Sequence, residues 1–89
     1  MTMLEQIEEI FELADLELLY PTGFEGAIIG YVERFGMSPM ILLDRYKCLD
    51  ILQERDGMSL EEAHEYFEFN IIGAWMGEGT PCFATLLKD

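Results

Sequence analysis

A Ser/Thr-x-x-Glu signature occurs twice in this chain, at Thr2 and Glu5 and again at Ser59 and Glu62, each time immediately before an amphipathic run. In such a box the hydroxyl accepts from the third helical N–H while the carboxylate reaches back to the cap's own N–H, so both sites predict helix starts. One helix therefore opens the chain and another opens its last third. What lies between must complete their core.

In the first helix Leu4, Ile7, Phe11, Ala14 and Leu18 recur at three- and four-residue steps as one apolar stripe, with Met3 and Ile10 on its flank. Glu5, Glu8, Glu9, Glu12 and Asp15 fall on the other side. At 100° per residue Leu13 and Leu16 project among these acids and away from the stripe, which asks for something to cover them. Pro21 and Gly23 end the helix and its exit segment. After Ser59, Leu60, Ala63, Phe67 and Ile71 are expected to face inward and Glu61, Glu62, Glu65 and Glu68 outward. Residues 70–76 either continue this helix or leave it at Gly73.

Residues 27–32 and 39–43 are short runs rich in β-branched, aromatic and other apolar residues, and the link 33–38 holds Gly36, so they read as a hairpin. Asp44 stands at an N-cap position for a helix over Arg45 to Asp56, with Cys48, Leu49 and Leu52 on one face and Gly57 placed to terminate it. The run Gly77-Glu78-Gly79-Thr80-Pro81 reads as a turn, and Cys82 to Leu87 as a last strand added to the hairpin. The expected fold is α+β, in the order α-β-β-α-α-β, with a short antiparallel sheet packed by helices. At 89 residues only one core of modest size is available, so residues 1–89 form a single domain.

Charge limits the partners. Eighteen acidic residues against five basic ones give a net charge of −13, which repels nucleic-acid phosphates and anionic membrane surfaces. Residues 1–33 carry eight acids and no Lys or Arg, and residues 56–89 carry seven acids and only Lys88. The intervening segment holds Arg34, Arg45, Lys47 and Arg55 against Asp44, Asp50 and Glu54, so it is expected to face one of the acidic ones. No stretch reaches the 18 apolar residues of a membrane span, and the first residues lack the basic and apolar pattern of a secretion signal. Cys48 and Cys82 match no zinc spacing and read as two buried, reduced thiols, which fits a cytoplasmic protein.

Catalytic and ligand-binding patterns are sparse. His64 is the only histidine, and Glu61 three residues before it gives one Glu-x-x-His pair where di-iron bundles use two. No serine or threonine stands near a second histidine, and only Lys47 beside Cys48 offers a thiol a basic neighbour. The 77–81 loop carries a carboxylate where a phosphate cradle needs free N–H groups and usually a Lys. We therefore expect no enzyme, no cofactor and no metal. Tyr66, Phe67, Phe69 and Trp75 exceed what one helical face can bury, so some are expected at an interface.

Residues 56–59, Glu62-Ala63, residues 66–70, Gly73-Ala74, Gly77-Glu78 and Thr80-Pro81 resemble a recurrent pattern in small proteins of bacteria and their phages that carry no assigned activity. Residues 28–30, 34–36 and 43–47 extend the likeness over roughly 27–83, leaving the N-terminal acidic helix outside it. The resemblance implies a bacterial or phage cytosol, where short acidic proteins often act by occupying a larger host protein.

The leading expectation is a non-catalytic acidic binding module, phage- or mobile-element-borne. It would regulate or inhibit a host nucleic-acid-handling complex, such as a CRISPR effector, through Glu5, Glu8, Glu9, Glu12, Leu13, Asp15 and Leu16. A carboxylate array at helical spacing also makes nucleic-acid mimicry possible. The competing expectation is a homodimer or small assembly that buries Leu13, Leu16 and the surplus aromatics. A small metal-binding protein using Glu61 and His64 is the third.

Overall fold

The structure is a computed structural model and describes residues 2–74, 76, 77 and 79–88. Both capping boxes form. The Thr2 hydroxyl accepts from Glu5 N–H at 3.2 Å while Thr2 N–H donates to the Glu5 carboxylate at 3.1 Å, and α1 runs Met3–Leu13. Ser59 and Glu62 repeat the exchange at 3.2 and 2.9 Å and open α3, Leu60–Tyr66. Between them lie β1, Ile28–Arg34, entered by a 3-10 turn over Glu25–Ala27, then β2, Met37–Asp44, and α2, Arg45–Asp56. The last strand, β3, spans Cys82–Ala84, so the element order is the expected α-β-β-α-α-β.

The hairpin is tighter than the sequence suggests. Glu33 and Arg34 join β1 and Met37 and Ser38 join β2, leaving Phe35 and Gly36 as a two-residue turn with Gly36 at φ 83°. Cross-strand pairing extends both strands to the turn, whose second residue alone takes a positive φ, and that residue has no Cβ. Register shifts between Ile28 and Gly30 and between Val32 and Arg34 interrupt the β1–β2 ladder, the first with an extra residue on β1 and the second with one on β2.

The sheet is mixed, which corrects the expectation of an antiparallel one. Its order is β1-β2-β3, with β1 antiparallel to β2 and β3 parallel to it. The physical reason is the crossover: β2 leads directly into α2, and the two helices carry the chain back so that the next strand runs in the same sense. β3 is also three residues long, where the sequence suggested six.

Cross-strand partners share a face, so Tyr31 opposite Ile41 and Leu43 opposite Phe83 define the side on which the core is built. Ile41, Leu43 and Ile28 pack there against Ile7 and Phe11 of α1, Cys48, Leu49 and Leu52 of α2, and Ala63, Phe67 and Ile71. Phe11 meets Tyr31 edge-on at 5.6 Å and Phe67 meets Phe83 edge-on at 5.2 Å. Thus α1 sits over one edge strand and the α3 extension over the other, on the same side of the sheet.

Asp44 caps α2 as expected, accepting from Tyr46 N–H at 2.9 Å and Lys47 N–H at 3.3 Å, and Gly57 ends the helix in the left-handed conformation. The near-neutral segment does tie down its acidic neighbours. Arg45 pairs with Glu68 beyond α3, and Arg55 donates to the Gly23 carbonyl at 3.1 Å as well as to Asp56. Each guanidinium also lies on a ring, Arg45 at 4.7 Å from the Phe67 centroid and Arg55 at 5.1 Å from that of Phe24.

After Tyr66 the helix continues as a π-helical segment, Phe67–Ile71, closed by Ile72 N–H to the Phe67 carbonyl at 2.9 Å, and it ends before Gly73. Four-residue steps overshoot a 3.6-residue turn, and the wider π turn keeps Phe67 and Ile71 on one buried line. Leu60 departs from the expected inward set and is 54% exposed, because it is the first helical residue, one turn ahead of Ala63 where the helix reaches the core. At the expected turn the Thr80 hydroxyl accepts from Met76 N–H at 2.8 Å and donates to the Gly77 carbonyl. Trp75 and Glu78 lie outside the described residues.

The capping boxes carry a pH signature. The backbone N–H of Thr2, then its hydroxyl contact, holds the Glu5 carboxyl below its ordinary 4.5, and Ser59 does the same for Glu62. A carboxyl whose folded pKa is depressed contributes stability above its unfolded value, and that contribution is lost as pH falls through the lowered one. Thermal melts followed by circular dichroism should therefore show stability declining as pH drops below 4.5. Glu5→Gln/Glu62→Gln, which keeps an amide oxygen as acceptor without the charge, should show a shallower decline.

Candidate functional site

The acidic helix α1 ends at Leu13 and does not continue toward Pro21. Ala14 is the C-cap, and Asp15 follows in the left-handed region at φ 56°, the sole non-glycine described with a positive φ. Asp15 N–H donates to the Glu12 carbonyl at 3.1 Å and Leu16 N–H to the Phe11 carbonyl at 2.9 Å. These are the two bonds of a Schellman motif, whose usual companion is an apolar contact between the residue after the reversal and the one three positions inside the helix.

That motif corrects the helical projection of residues 14–18. Leu16 does not stand among the acids; the chain reverses at Asp15 and brings Leu16 and Leu18 half-buried onto the core beside Phe11. Leu13, the last helical residue, is 83% exposed, as its position on the wheel requires. Ala14 is exposed at the cap instead of completing the stripe.

The reversal also builds a concavity. Phe11, Leu16 and Leu18 meet Glu8, Glu12 and Asp15 around a hollow of about 360 Å³. Glu8 and Glu12 lie one turn apart on the helix, and Asp15 is delivered to the same hollow by its left-handed backbone. Of the seven residues expected to bind a partner, four thus gather at one place. The other three do not line it: Glu5 is occupied in the capping box, and Glu9 and Leu13 project from other parts of the exposed helix surface. Phe11 and Leu18 were missed as site residues because helical spacing assigns them wholly to the core.

The remaining candidates stay apart. His64 is half-buried on α3 and Glu61 is exposed, and among the described residues no group of three or more His, Cys, Asp or Glu is placed to hold a metal ion. Burial, and next the Asp44 charge, pushes the Cys48 thiol up to about 12, so the exposed Lys47 beside it does not activate it. Both cysteines are free, but Cys82, on the short edge strand β3, is half-buried where burial was expected, with its Sγ 3.1 Å from Met40 Sδ. No described helix is long and apolar enough to cross a membrane.

No protein family, no curated protein and no solved structure matches the chain. The reading of the site therefore rests on its residues and their geometry.

An Asp at a left-handed position where glycine is free of strain costs roughly 1 kcal/mol. Asp15→Gly should accordingly raise stability by up to about 1 kcal/mol in urea unfolding, with the helix retained. Loss of stability in that variant would mean that the Asp15 side chain is needed to hold the reversal.

Proposed function

We propose that the protein is a non-catalytic binding module that engages a basic partner protein through the hollow at the end of α1. One observation carries this reading: three carboxylates, Glu8, Glu12 and Asp15, line one open hollow together with the apolar residues Phe11, Leu16 and Leu18. Apolar surface supplies affinity on desolvation, while the adjacent charges steer approach and select a cationic patch. The exposed Leu13 alongside offers a further contact outside the hollow. Proteins that handle nucleic acid present such cationic surfaces, shaped to receive phosphates. The partner class we favour is thus a nucleic-acid-handling complex of a bacterial host, which this chain would regulate or inhibit by occupying the phosphate-binding surface.

The test compares the wild-type chain with a Glu8→Lys/Glu12→Lys variant, each immobilised and exposed to host lysate. The proteins retained are identified by mass spectrometry, and each interaction is remeasured with the purified partner. A basic nucleic-acid-binding protein should be retained by the wild type and bound at least tenfold more weakly by the variant. Salt should weaken the interaction, and duplex DNA should compete with it. Affinity indifferent to charge reversal, salt and DNA overturns the proposal. Sedimentation of the isolated chain addresses the assembly reading directly, since a monomer at micromolar concentration leaves a homo-oligomer without its interface.

A further inference from the structure

A second surface stands on the opposite edge of the fold. Tyr66 and Phe69, at the junction of α3 with the π-helical segment, meet Glu62, Glu65, Met58 and Asn70 around a cleft of about 350 Å³. Phe69 is 82% exposed, and Tyr66 is exposed as well. The cause lies in the helix itself: the π turn is set by burying Phe67 and Ile71, and Phe69 between them is carried out into solvent.

What such a cleft receives is indicated by the rest of the chain. Arg45 is held between the face of Phe67 and the carboxylate of Glu68, and Arg55 between the face of Phe24 and the carboxylate of Asp56. In both, a planar guanidinium stacks on a ring while its N–H groups reach an acid, the combination for which arginine is better suited than lysine. The Tyr66–Phe69 cleft presents the same receiving pair, aromatic faces and carboxylates, and no Lys or Arg lines it. Arg55 is already committed to Asp56 and Gly23.

We propose that the cleft between Tyr66 and Phe69 receives an arginine side chain presented by a partner protein. The guanidinium stacks on the exposed ring of Phe69, and its N–H groups donate to Glu65. This site is independent of the hollow at α1, which lies over the other edge of the sheet. Either can fail without the other.

The probe is a capped tripeptide with a central arginine, titrated into the isotope-labelled full chain and followed by amide chemical shifts. The same peptide with citrulline, which keeps the shape and loses the charge, is the control. Shifts should cluster on residues 62–70 and be absent with citrulline. Phe69→Ala and Phe69→Leu should each weaken binding about fivefold, because leucine restores bulk but has no ring face. Glu65→Gln should weaken it about twofold, and Glu8→Lys/Glu12→Lys should leave it unchanged. Glu62 is spared because it caps α3. Equal shifts with citrulline, shifts confined to α1, or full affinity in Phe69→Leu overturn the proposal.

Discussion

The fold turns on Asp44. It is the last residue of the central strand and the cap of α2, and it is the one buried charged residue among those described. Its side chain accepts from two backbone N–H groups at the start of the helix, which satisfies the carboxylate and complements the positive helix end. No loop separates strand from helix, so the angle between them is set at one residue. That angle lays Cys48, Leu49 and Leu52 on the sheet, and the position of α3 and then the parallel sense of β3 follow from it.

Around this hinge the charge imbalance is handled unevenly. Arg45 and Arg55 stand at the two ends of α2, one tied to the chain beyond α3 and the other to the segment before β1. Exposed ion pairs contribute little singly, and the stacking of each guanidinium on a buried ring gives these contacts additional weight. With two of the five positive charges used internally, most of the acidic surface is left for solvent or a partner.

Much of this architecture is legible in the sequence, because local chemistry decides it. The two capping boxes, the Asp44 cap and the Gly57 stop each depend on residues within a few positions, and each forms. The sense of β3 was not legible: three residues cannot announce whether they pair in parallel, and that outcome depends on the path of two helices. The site was half legible. Charge and spacing identify Glu8, Glu12 and Asp15, but a helix projected onward to Leu18 hides the reversal at Asp15, since aspartate is an uncommon residue at a left-handed stop. Leu16 thereby moves from solvent to the lining of the hollow. Phe69 was marked only as one aromatic too many, because a π turn leaves no periodic trace over five residues.

The two irregularities of the β1–β2 ladder bear on how a partner is met. A sheet with a free, regular edge invites another chain to extend it through main-chain hydrogen bonds. Here one edge strand is bulged near its start and the other is only three residues long, so neither offers a long, regular template. Strand addition, whether by a ligand peptide or by a second copy on the way to fibrils, is thereby discouraged. Selectivity is left to side chains on the helical layer, where single substitutions can retune it without disturbing the ladder beneath.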